Sequence, residues 1–69
     1  MVDLNEADHE ILDHLQRGRC TQAYLVDELD WSRQHIHKRL QILSAAGYIT
    51  KIHATSALYE LISDPRVTD

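Results

Sequence analysis

Two amphipathic stretches in the middle of this chain are separated only by Asp30-Trp31-Ser32. That spacing leaves room for little except two helices meeting at a tight turn. The upstream stretch starts at Thr21, whose hydroxyl can cap a short helix running to about Leu29. Tyr24, Leu25, Val26 and Leu29 supply its apolar residues. Downstream, Ser32 is placed to cap a longer helix that runs to about Ala46 and stops at Gly47. At about 100° per residue, Leu40 and Leu43 fall within about 40° of Ile36, so these three form its buried stripe.

The flanks complete the pattern. Asn5 can cap a first helix, with Glu6 and Asp8 at the positive end of its dipole. Leu4, Ala7, Ile11, Leu12 and Leu15 make one helical stripe, and Asp8, Glu10 and Asp13 fill the other face. Gly18 is the expected stop. After Gly47 the periodicity changes. Residues 48–53 and 57–61 are rich in β-branched and aromatic types and read as a hairpin, with Ala54-Thr55-Ser56 between the strands. Tyr48, Ile52, Tyr59 and Leu61 are expected to close the bottom of the core. The predicted class is α+β, mostly α: three helices and a C-terminal β-hairpin. Residues 1–63 form the domain, and 64–69 form a short flexible tail.

A chain of 69 residues holds one small domain, and 43% hydrophobic residues suffice for a globular fold. No apolar run nears the ~20 residues of a membrane span, and the acidic N-terminus lacks the start of a signal peptide. With a single cysteine, Cys20, no internal disulfide can form, and the expected location is the cytoplasm. The net charge of −4 is unevenly spread. Residues 1–30 carry a net −6 and residues 60–69 a net −2. Residues 31–59 hold Arg33, Lys38, Arg39 and Lys51 without a single acid. A polyanion responds to the field of the face it meets, not to the average over the chain.

That acid-free segment contains the third helix. A helix that enters the major groove of double-stranded DNA needs an outer face of hydrogen-bonding and cationic side chains. Arg33, Gln34, His37 and Gln41 are the expected base readers, since Arg can pair twice with guanine and Gln twice with adenine. Ser32, His35, Lys38 and Arg39 are expected at phosphates. Lys51, His53, Thr55 and Ser56 are expected to reach the backbone or minor groove from the hairpin. An ordinary solvated helix face mixes both charge signs, and this one does not.

The segment from Trp31 through Ser32-Arg33-Gln34-His35-Ile36-His37-Lys38-Arg39-Leu40 to Gly47-Tyr48-Ile49 resembles the recognition helix and wing entry of winged helix-turn-helix regulators. It looks like the small repressor-type proteins of archaea and their viruses, and like the DNA-binding half of the Lrp/AsnC and MarR families. Residues 4–12 are similar to the Lrp/AsnC opening, and Leu58-Tyr59-Glu60-Leu61 to the second wing strand of the repressor-type group. The resemblance implies a sequence-specific transcriptional regulator, a repressor by its nearest likeness. It also implies that Ser32 starts the recognition helix and that Arg39 contacts the DNA backbone. Lacking the effector domain of Lrp/AsnC and the long final helix of MarR, the chain is expected to bind no small molecule and to dimerise weakly.

Other chemistries find little here. His9/Asp13 and Glu10/His14 are helical pairs, and His35 and His37 point about 200° apart, so no zinc-site spacing arises and neither metal nor cofactor is expected. Cys20 is expected to be a small packed residue, and Trp31 to pack on the first two helices. Without a phosphate loop or a nucleophile–base pair, no enzymatic activity is expected. Seven aspartates against four glutamates, with only two lysines, suggest a salt-adapted surface. The rival reading is a protein-docking module that uses the acidic first helix.

Overall fold

The structure is a computed structural model that describes residues 3–53 and 57–67, with His53 described by its backbone alone. In chain order the elements are α1 (Glu6–Arg17), β1 (Cys20–Thr21), α2 (Gln22–Glu28), α3 (Arg33–Ala45), β2 (Ile49–His53) and β3 (Leu58–Leu61). Three helices and a hairpin stand where the sequence predicts them, and the helices end within a residue or two of expectation.

The helix starts follow from capping chemistry. Asn5 accepts from the Asp8 amide at 2.9 Å, and the Asp8 carboxylate accepts from the Asn5 amide at 3.0 Å, a reciprocal capping box. Thr21 Oγ1 accepts from the Tyr24 amide, and Ser32 Oγ from the His35 amide. Each bond satisfies a backbone donor that the helix itself leaves without a partner. At the far end of α3, Gly47 sits at φ +86°, in the left-handed region that turns the chain into the hairpin.

One element is absent from the sequence reading. Cys20–Thr21 is a strand between α1 and α2, antiparallel to β3 with Cys20 opposite Tyr59 and Thr21 opposite Leu58. The sheet order is β1-β3-β2, so the second hairpin strand is central. Two residues are too few to show the alternation by which a strand is recognised. Only the unpaired edge of β3 makes β1 a strand.

Ile11, Leu12, Leu25, Ile36, Leu40 and Leu43 are fully buried, joined by Leu15, Cys20, Leu29, Ile49 and Tyr59. The predicted stripe of α3 is therefore the stripe that is buried. In the hairpin, the residues expected to close the core need correcting. Tyr59 is buried, whereas Tyr48, Ile52 and Leu61 are half-buried and Ile49 takes the core position on β2. Tyr48 precedes the strand, and its carbonyl accepts from the amides of Ile62 and Ser63. The inward phase therefore starts one residue later.

The segment after β3 returns to α1. Gln16 donates to Asp64 at 2.5 Å. Arg66 donates to Asp64, to Asp13 at 2.8 Å and to the His9 carbonyl at 3.1 Å.

Candidate nucleic-acid interface

The outward face of α3 brings together most of the side chains expected to meet DNA. Ser32, Arg33, Gln34, His37, Lys38 and Gln41 are exposed, and His35 is half-buried. Ser32, Gln34, His35, His37, Lys38 and Gln41 line one shallow open depression. Its opposite side is the Ile36-Leu40-Leu43 stripe held in the core. The face is thus fixed by burial of its reverse, and Ser32 fixes where it begins. Among the described residues, Arg33, Lys38 and Lys51 have no acidic side chain within ion-pair distance. Their charges face outward uncompensated, as a site for a polyanion requires.

Two side chains of the face are held in place. His35 stacks on Trp31, with ring centroids 5.1 Å apart and planes tilted by 31°. Trp31 donates its indole N–H to Glu10 at 2.6 Å, tying the turn before α3 to the first helix. His37 Nδ1 lies 3.1 Å from Gln22 Oε1, a link from α3 to the first residue of α2. The sequence reading does not single out Gln22. Its only sequence signal is a polar residue directly after the Thr21 cap, and the meeting with His37 arises from how α2 and α3 cross.

Arg39 is not brought to this face. Its Nε donates to Asp8 Oδ1 at 2.7 Å and a terminal nitrogen to Asp8 Oδ2 at 2.5 Å. Its side chain is 14% exposed, and that of Asp8 is fully buried. The carboxylate holds the guanidinium proton more tightly than usual, chiefly through these bonds. This pairing ties up Nε and one terminal nitrogen and leaves only the other terminal nitrogen for the expected phosphate contact. From the hairpin, Lys51 is exposed on β2. Thr55, Ser56 and the side chain of His53 lie outside the described residues.

Three of the four acids of α1 are also engaged from within the domain. Asp8 binds Arg39, Glu10 binds Trp31 and Asp13 binds Arg66. These were the side chains offered to a docking partner, and each faces a group of its own chain. Of the helical His/acid pairs considered as metal ligands, the Glu10 and Asp13 carboxylates are engaged as above, and His14 Nδ1 lies 3.1 Å from the Glu10 carbonyl. Among the described residues, no cluster of three or more His, Cys, Asp or Glu could hold a metal ion. Burial pushes the Cys20 thiol above its ordinary pKa, which suits a packed residue and not a reactive one. No described helix is long and apolar enough to cross a membrane.

Residues 4–50, more than half the chain, match the family described as winged helix-turn-helix DNA-binding. No curated protein matches the chain.

Proposed function

Because this chain belongs to the winged helix-turn-helix DNA-binding family, we propose that it is a sequence-specific regulator that inserts α3 into the major groove of double-stranded DNA. The observation that carries the reading is the acid-free outer face of α3, with Arg33 and Lys38 exposed and unpaired among the described residues. Arg33, Gln34, His37 and Gln41 read base edges. Ser32, His35 and Lys38 contact phosphates beside them, and Lys51 does so from the hairpin, together with His53, Thr55 and Ser56. Arg39 is left out of this set because its guanidinium is committed to Asp8. The regulation is repression: a helix and wing that fill the groove over a promoter deny it to other proteins by occupancy alone.

A gel-shift against the DNA upstream of the protein's own gene, at several salt concentrations, tests this. A discrete complex that survives excess non-specific competitor is the expected result. Equal displacement by any competitor would reduce the protein to a general DNA-coating function. No complex at low salt would remove the DNA reading altogether.

A further inference from the structure

The bond between α2 and α3 has a chemical consequence for readout. Gln22 is anchored through its backbone, since its amide donates to the Ala57 carbonyl at 3.1 Å where the hairpin returns. Its neighbour Thr21 pairs with Leu58 in the sheet. Its side-chain oxygen lies 3.1 Å from His37 Nδ1. One residue therefore touches wing and recognition helix together. The His37 ring is exposed, and its Nε2 has no partner among the described residues.

A neutral imidazole carries one proton, and the bond made by one nitrogen decides the state of the other. An amide oxygen can only accept, so it selects the ring form with the proton on Nδ1. Nε2 is then a bare acceptor. In the major groove, acceptors are met by the amino groups of adenine and cytosine, whereas guanine and thymine offer acceptors at the corresponding edge positions. We propose that Gln22 is a positioning residue that holds His37 in the Nδ1-protonated form, so that His37 selects a base bearing an amino group. The charged groups beside His37 on its own helix are Arg33 and Lys38. Gln22 is the partner it meets from α2, and it is uncharged.

This inference rests on the DNA-binding reading above, and the two can fail separately. The test is selection from a randomised double-stranded oligonucleotide pool at about pH 8.5, above the ordinary histidine range. Wild type is expected to select a site with one position restricted to adenine or cytosine, by roughly three- to tenfold over guanine or thymine, as one hydrogen bond allows. His37→Ala should lose that restriction. Gln22→Glu, whose carboxylate can only accept, should keep it while weakening all sequences. Gln22→Ala should relax it, and Gln22→Lys, which can only donate, should invert it toward guanine or thymine. The long-range 1H–15N spectrum of the free protein should show the His37 proton on Nδ1 in wild type and on Nε2 in Gln22→Lys.

Circular dichroism should be unchanged in every variant, since the anchoring bond of Gln22 uses its backbone. The proposal is overturned if wild type selects a defined site whose base preferences are identical in Gln22→Ala and Gln22→Lys. It is equally overturned if the spectrum places the wild-type proton on Nε2. A wild type that selects no site defeats the DNA reading itself, and the role of Gln22 falls with it.

Discussion

Arg39 and Asp8 are 31 positions apart in the chain, yet the guanidinium of one closes on the carboxylate of the other through two nitrogens at 2.7 and 2.5 Å. Asp8 also completes the capping box with Asn5, so one carboxylate both starts α1 and locks it to the middle of α3. Removing one partner leaves a charge with nothing to answer it. Arg39→Ala should therefore lower stability by about 3–5 kcal/mol. Replacing both by apolar residues, as in Asp8→Leu with Arg39→Met, should recover much of the loss, apart from the ~1 kcal/mol associated with the helix cap. Urea unfolding of Asp8→Leu, Arg39→Met and the double measures the coupling. Purely additive losses would show that the pair acts as two independent groups.

Leu40 sits at the centre of the buried stripe of α3 and is wholly enclosed. Leu40→Ala should cost about 2–5 kcal/mol, enough to unfold much of so small a domain. A thermal melt within error of wild type would contradict the packing of α3 against α1 and the sheet.

The side chains on the outer face should separate by role. Arg33→Ala and Gln34→Ala should each weaken binding to the preferred site by about 1–3 kcal/mol and relax selectivity at one base pair. Lys38→Ala should weaken all sequences alike and lower the salt slope by about one. The fold should survive all three, because each residue is exposed. Titrations at several salt concentrations against matched and scrambled duplexes distinguish these outcomes. Binding by a folded triple variant as tight as wild type would displace α3 from the interface.

Acid should loosen the C-terminal return. The Arg66 guanidinium beside Asp64 holds that carboxyl down to about 2, against an unfolded value near 3.8. A depressed carboxylate stabilises the fold above the unfolded value and loses that contribution as pH falls through the folded one. Stability should thus decline between about pH 4 and pH 2, by on the order of 1 kcal/mol from this group. Asp64→Asn should flatten that limb of the pH profile. Identical profiles for wild type and variant would show that Asp64 contributes nothing in that window.

Self-association should be weak. Winged regulators often use two copies on sites about one helical turn apart. A reversible dimer at high concentration, seen by sedimentation, is the expected result, with two copies per DNA site. A strict monomer with one copy per site would contradict it.

The helices were legible in the sequence because their signals are local. Asn5, Thr21 and Ser32 cap within three residues of themselves, and the stripe Ile36-Leu40-Leu43 repeats within one helix. Most of the missed features are made by distant partners. β1 exists because β3 offers an edge to two residues far upstream. Arg39 has the composition of a phosphate contact, and only the crossing of α1 over α3 shows Asp8 waiting for it. Ile49 takes the core place given to Tyr48 because the turn at Gly47 uses one residue more than alternation alone suggests. For the outer face of α3, periodicity sufficed to say which side chains share it. It could not place Gln22 against His37.

Trp31 is the sole tryptophan of the chain, and it stands at the entrance to α3 with Glu10 on its indole nitrogen and the His35 ring against its face. The molecule thus carries its own optical probe. Separation of α1 from the turn would free the indole to water and shift its emission to the red. A duplex seated on α3 would disturb the imidazole stacked on it and change the intensity without that shift. One unlabelled sample can therefore report loss of the fold and occupation of the face as two distinguishable signals.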